Sequence, residues 1–485
     1  LDNRNDSLAR HTEVAALSLE QIRERLHPCG DVMEYTVDLY IHERVEVSLF
    51  YCNGQIDHQQ MQLALIPELE QWAEKCKEQA AVNSDQIGPG RLFRIIPFDR
   101  QEEDLFASLF AGSVIVVFSD RNEFYRYDLS SQPGRSPEES TMELSLQGPR
   151  DGFVELLAVN VALVRKRLRT PDLHVEYRRI GSQSMTEIAL LHMSGIARPE
   201  LVKEAQSRLD AIHITSLNGG THLEELITDR PFSLIPLIDY IGRPDYVVQS
   251  LMKGKVVILI DGTPAALIAP ADLLLLTKSP EDAHLPFYFV SLERLIRVFG
   301  LVLSLCLPGF WVALSIFNTD QIPYSLLATI TISRVGLPIS AAVEMFMMLT
   351  TFELFREAGV RLPRPVGQTI SVVGGLIVGD AAIKAGLTSP TMLVAAAVTS
   401  VATYTLVNQS LTGSVTILRY FILICSSVLG IFGFFVGTFG VLLYMCSLES
   451  FGLSFLSPLA PMKFKQLIPA LLQKPWRLRS KKESR

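Results

Sequence analysis

Charge is scarce in this chain of 485 residues: Asp, Glu, Lys and Arg together make up 20%, and mean hydropathy lies above zero. An ordinary soluble enzyme of this size carries more. Six cysteines, Cys29, Cys52, Cys76, Cys306, Cys425 and Cys446, form no CxxC pair and keep no Cys/His metal spacing, which argues against disulfides and zinc. The N-terminal stretch LDNRNDSLARHTEVAALSLEQIRERL has no apolar run able to serve as the core of a secretory signal, so the soluble half is expected in the cytoplasm. Positive charge is not in excess either. The formal net charge of -7 argues against non-specific nucleic-acid binding. No G-x-S-x-G, Walker loop, HExxH or GxGxxG occurs, and GPGRLF and DGTP read as turns. The chain is therefore expected to be no enzyme and to need no cofactor or metal.

What is present divides in two. Up to about His284 charged and apolar residues alternate as in a globular domain, whereas from Leu295 to Cys446 apolar stretches dominate. The expected fold is an α/β soluble region of two subdomains followed by an α-helical transmembrane bundle of about four to five spans. The pattern predicts an N-terminal helical segment over 1–30, a first α/β subdomain over 31–131, a Ser/Pro/Gly-rich linker over 132–150 and a second subdomain over 151–285. A transmembrane helical domain over 286–446 and a basic cytoplasmic tail over 447–485 complete the division.

VEVSLFYC, SVIVVFS, LHVEYRRIG and TEIALLHMSG are predicted strands; DHQQMQLALIPELEQWAEKC, GFVELLAVNVALVRKRL and RPELVKEAQSRLDAI are predicted helices. KVVILIDGTPAALIAP reads as a hairpin turning at Asp261-Gly262. No repeat stands out at fixed spacing. Asp57, Asp245 and Asp261 are expected in caps or turns, His192 and His213 in structural roles, and Arg165, Lys166, Arg167 and Arg169 on a solvated basic face open to a subunit contact.

The first predicted span is LIRVFGLVLSLCLPGFWVALSIF, with Arg294 and Arg297 at a cytoplasmic start. Pro323–Thr351, Val366–Ala385, Pro390–Val407 and Tyr420–Cys446 are further candidates, the first of them broken or interfacial because it carries Arg334, Gly336-Leu337-Pro338 and Glu344. A cytoplasmic N-terminus with a cytoplasmic basic tail requires an even number, hence four crossings, although the basic loop REAGVRLPRP would then face outward.

Several strings together resemble the A subunit of GerA-type spore germination receptors. They are QGPRDGF at Gln147–Phe153, the NVALVRKRL that follows, RPDYVVQSLMKGKVVILIDGTPAALIAP, FELFREAGVRLPRPVGQTISVVGGLIVGDAAIKAGLTSP at Phe352–Pro390, and SFLSPLAP at Ser454–Pro461. Gln147 stands where the family usually has Arg, and PFSLIPLIDYIGRPD departs from its Pro-Phe-Pro segment. The resemblance implies a subunit of a nutrient receptor in the spore inner membrane, acting with a permease-like B subunit and a lipoprotein C subunit. It also implies a homo-oligomer ring whose membrane helices, embedded in lipid, form a nutrient-gated cation channel. The soluble domain would then lie on the spore-core side.

Within TISVVGGLIVGDAAIKAG, Gly374, Gly375 and Gly379 are small positions that allow helices to pack closely. Gln368, Ser371, Val372, Gly375 and Gly379 share one face at three and four spacing, so they either line a pore or form a tight helix contact. Asp380 is either a cation contact or an interfacial partner of Lys384 at i, i+4. Glu344 is a second candidate ion contact, with Arg334 as a neutralising partner. A secondary transporter with a midplane site in broken helices, and a membrane-anchored scaffold, are the competing readings.

Overall fold

The structure is a computed structural model that describes residues 18–40, 44–78, 96–97, 102–119, 123–131, 147–361, 378–460, 468, 472–473 and 475. It divides into two compact units, one of Leu1–Ile227 with Tyr240–Ala269, the other of Thr228–Asp239 with Pro270–Arg485.

The first unit holds two five-stranded sheets. In chain order its first half runs α1 (Leu19–Leu26), β1 (Val32–Tyr40), β2 (Arg44–Cys52), α2 (Ile66–Glu78), β3 (Ile96–Pro97), α3 (Glu102–Leu109), β4 (Ser113–Phe118) and β5 (Glu123–Asp128). Asp57 starts the run into α2: its Oδ1 accepts from the amides of Gln59 and Gln60. A π-helical turn, Met61–Leu65, follows. β4 is apolar almost throughout because helices cover both faces of its sheet. Val114, Val116 and Phe118 pack with Leu69 and Trp72 of α2, while Ile115 and Val117 pack with Leu105, Phe106 and Leu109 of α3.

The second half runs α4 (Leu157–Arg165), β6 (Leu173–Ile180), β7 (Thr186–Met193), α5 (Pro199–Asp210), α6 (Gly220–Ile227), β8 (Asp239–Ile241), α7 (Pro244–Leu251), β9 (Val256–Ile260) and β10 (Ala266–Ala269). The Asp261-Gly262 hairpin forms as expected, with Ala266 opposite Leu259 and Gly262 at φ 78°. The two sheets share one strand order, β1-β2-β4-β5-β3 and β6-β7-β9-β10-β8. An internal repeat is thus present in topology, where no repeat was visible at fixed sequence spacing.

The second unit contains α8 (Phe287–Ile316), α9 (Tyr324–Arg334), α10 (Ala341–Arg361), α11 (Pro390–Tyr404) and α12 (Gln409–Cys446), with residues 378–384 also helical. A small hairpin of β11 (Glu449–Ser450) and β12 (Leu453–Ser454) follows. By length and composition α8 and the 38-residue run of α12 could each cross a membrane, although α12 is not one straight helix. The 30 residues of α8 extend about 45 Å.

The stretch Pro323–Thr351 is broken, as expected: α9 ends at Arg334, Gly336 adopts φ 88°, and α10 begins at Ala341. The expected single span over Tyr420–Cys446 takes a different course. Gly430 has φ 64° and ψ -140°, and α12 reverses there. A Cβ built on Gly437 would stand 3.3 Å from the Cα of Ile422, whereas a straight helix would separate these positions by about 22 Å. Both ends of α12 consequently meet the segment Thr228–Asp239: Asn408 Nδ2 donates to Asp239 Oδ1 at 2.8 Å, and the Leu234 amide donates to Tyr444 Oη at 2.8 Å. Arg294 and Arg297 at the start of α8 each donate to Asp282 at 2.7 Å, and Arg297 also donates to Glu293 at 3.0 Å, so two carboxylates offset the two cations.

Candidate functional site in the helical unit

Burial in an apolar helical unit makes each charged side chain costly unless a partner offsets it, so the buried charges mark where to look. Glu344 has no exposed surface. Ser389, the N-cap of α11, makes no side-chain cap of its own, and Glu344 of α10 supplies the missing acceptor. Its Oε1 accepts from the Ser389 amide, from Ser389 Oγ at 2.7 Å and from Thr388 Oγ1 at 3.0 Å. The positive end of the α11 dipole adds to that stabilisation. Oε2 is buried without a hydrogen-bond partner, and Arg334 Nη2 stands 3.9 Å from it. The residues that break the predicted span thereby bring Arg334 to Glu344 and pin α10 to α11.

Asp380 lies elsewhere in character. Its carboxylate is exposed and bonded to Lys384 four residues on, the pairing weighed from the sequence. Gly379 is buried, and a Cβ there would stand 3.1 Å from Leu393 Cδ2. Gln368, Ser371, Val372, Gly374 and Gly375 lie outside the described residues.

A second polar cluster was not singled out from the sequence. Arg419, on the first leg of α12, is 2% exposed. Its Nη1 donates to Thr403 Oγ1 at 3.0 Å, and its nearest carboxylate oxygen, Glu353 Oε2, is 3.7 Å away. Glu353 is instead hydrogen-bonded to Arg356. Arg419 Nε and Arg356 Nη1 are buried with no partner. One Arg inside the apolar run TGSVTILRYFILICSS was the available signal.

In the first unit the basic stretch at the end of α4 is a solvated face only in part: Arg169 is exposed, but Arg165 is not. Arg165 is fully buried: Nε and Nη2 donate to Asp31 at 2.7 and 2.6 Å, Nη1 to the Thr170 carbonyl, and the guanidinium lies 4.2 Å from the Phe110 ring centre. Arg167 pairs with Asp151 at 2.6 Å. Asp31 precedes β1 and Arg165 ends α4, so this pair joins the two sheets. The same contact buries Cys29, whose thiol is pushed up to about 11 by desolvation. His192 stacks edge-on against His174 and meets Glu176 at 3.4 Å; this hydrogen bond, with Gln206 and Arg178, holds Glu176 down at about 2. Asp245 pairs with Arg243, and Asp261 Oδ1 accepts from the Leu157 amide. Among the described residues no group of three or more His, Cys, Asp or Glu is arranged to hold a metal.

Residues 20–485 match the model of a family described as Bacillus/Clostridium GerA spore germination protein. Spore germination protein XA of Bacillus anthracis is 40% identical over 432 residues, covering 89% of this chain and 87% of that protein. Spore germination protein KA of Bacillus subtilis (strain 168) is 32% identical over 466 residues, 95% of this chain and 84% of that one. The crystal structure of the N-terminal domain of the A subunit of the Bacillus megaterium spore germinant receptor GerK3 is 27% identical, covering 52% of this chain and 93% of its own, with a TM-score of 0.40.

Proposed function

Because the chain belongs to the GerA spore germination protein family, we propose that it is the A subunit of a nutrient-sensing germination receptor in the spore inner membrane. In this reading it acts with a permease-like B subunit and a lipoprotein C subunit. Copies of it assemble into a ring whose helices conduct cations when the receptor is engaged, with the soluble unit on the spore-core side. The observation that carries the channel part is a helical unit with apolar side chains outside and charged groups within: Glu344 and Arg419 are buried, while Val428, Phe432, Phe439 and Leu443 are exposed. Gln368, Ser371, Val372 and Gly375 are the proposed pore face, with Gly374 and Gly379 at helix contacts. Asp380 is the cation contact at one end, in exchange with Lys384, and Glu344 is the deeper one. Co-reconstitution of the three subunits in vesicles tests the reading. Nutrient-dependent efflux of potassium that requires this chain supports it, and vesicles that stay tight under nutrient argue against it.

A secondary transporter is the second reading, favoured by one observation. The N-terminus of α11 points its Ser389 amide at a buried carboxylate beside a broken helix, an arrangement that also serves ion sites in transporters. Saturable uptake against a gradient in the same vesicles would select it.

A further inference from the structure

Among the described residues, the cluster around Arg419 carries more positive charge than its carboxylate offsets. Arg419 and Arg356 share one carboxylate, Glu353, and that carboxylate gives its hydrogen bond to Arg356. Arg419 is left with Thr403 Oγ1 at 3.0 Å and Thr416 Oγ1 at 3.5 Å, neither of them charged, and with the Tyr420 ring at 5.7 Å. One N–H on each guanidinium is buried and unpartnered. An excess cation held this way in an apolar helical unit is unfavourable by several kcal/mol unless an anion meets it.

We infer that Arg356 and Arg419 form a binding site for the phosphate of an anionic lipid, between α10, α11 and the first leg of α12. A phosphate diester presents several acceptor oxygens, enough for both unpartnered N–H groups at once. The Arg356 side chain is 24% exposed and gives a headgroup its approach, while Arg356 Nη1 and Arg419 Nε are buried and would be uncovered only as the phosphate enters. Tyr404, at the end of α11, is exposed and supplies the half-apolar, half-polar side chain that suits a headgroup boundary. Leu354, Val401 and Ile417, on the same three helices α10, α11 and α12, are exposed large apolar side chains on which acyl chains can lie.

This inference rests on the buried guanidiniums and stands whether the protein conducts or transports. The test is native mass spectrometry of the full chain released from detergent, titrated with phosphatidylglycerol and, separately, phosphatidylcholine. Wild-type protein should retain phosphatidylglycerol at least about fivefold better, from roughly 1 kcal/mol per basic residue. Arg356→Gln should lose the preference and Arg44→Gln, at an exposed pair in the first unit, should keep it. Arg419→Gln is the stronger test if it folds; the partly exposed Arg356 serves if it does not. Inorganic phosphate that abolishes the preference at millimolar concentration would keep the anion site but assign it to the free ion. Equal retention of the two lipids by wild type, or a preference that survives Arg356→Gln, would overturn the inference.

Discussion

Arg165 and Asp31 lie 134 positions apart in the chain and meet through hydrogen bonds of 2.6 and 2.7 Å with almost no exposure of either side chain. Removing one member of such a pair leaves the other buried and uncompensated, at a cost of about 3–5 kcal/mol, whereas replacing both with apolar groups is far milder. Asp31→Asn is therefore expected to speed amide exchange in residues 28–32 and 163–175. Asp31→Leu combined with Arg165→Met is expected to recover most of the protection. Unchanged exchange in the single variant would mean that the pair does not join the two sheets.

Glu344 should behave as an acceptor before it behaves as a charge. Glu344→Ala strips the partner from the Ser389 amide, Ser389 Oγ and Thr388 Oγ1 together, and each buried orphan costs about 1–3 kcal/mol. Glu344→Gln retains an oxygen in the same place. The expected order of thermal stability in detergent is wild type, then Gln, then Ala by a wide margin. Equal loss in both variants would place the weight on the charge and on Arg334 instead.

Gly430 is expected to tolerate no side chain. Its φ of 64° with ψ of -140° suits glycine alone, and a Cβ would fall 2.7 Å from the Phe317 Cβ. Gly430→Ala should reduce the yield of monodisperse protein on size exclusion. Adding Phe317→Ala should recover only part of it, because the backbone strain of about 1–3 kcal/mol remains. A fully monodisperse Gly430→Ala protein would contradict the reversal of α12.

Glu176 gives the first unit an acid-sensitive contact. The His192 hydrogen bond, with those from Gln206 and Arg178, outweighs the opposing effect of burial and leaves its folded value near 2, below the 4.5 of an unperturbed side chain. A depressed carboxylate contributes stability that is fully present above the unfolded value and is lost as pH falls through the folded one. Glu176→Gln should lower the melting temperature at pH 7, and the difference should shrink between pH 4.5 and 2. A gap of constant size across that range would mean that the carboxylate charge plays no part.

The strands and the turn at Asp261-Gly262 were legible because alternation, continuous burial and turn chemistry are local properties. So was the break at Gly336-Leu337-Pro338, and with it the meeting of Arg334 and Glu344. The reversal at Gly430 was hidden, since an apolar run stays apolar through a turn that needs only one glycine among several. The shared strand order of the two sheets was hidden too, because topology is set by contacts between distant strands and not by residue identity. Arg165 reads as one more cation in VRKRL; only Asp31, far upstream, makes it a buried one. Nothing in residues 228–239 announces that they bind the ends of α12 through Asp239 and Leu234. Asp380 shows the reverse case, where the ordinary pairing with Lys384 is the one formed.

The most direct test of the central claim is potassium release from spores carrying Val372→Ala or Asp380→Asn, with receptor levels confirmed equal to wild type. If these helices enclose a gated cation path, Val372→Ala widens the proposed pore face and spores should release potassium and germinate without nutrient. Asp380→Asn should slow nutrient-triggered release. Wild-type timing in both strains would contradict a cation path along this face.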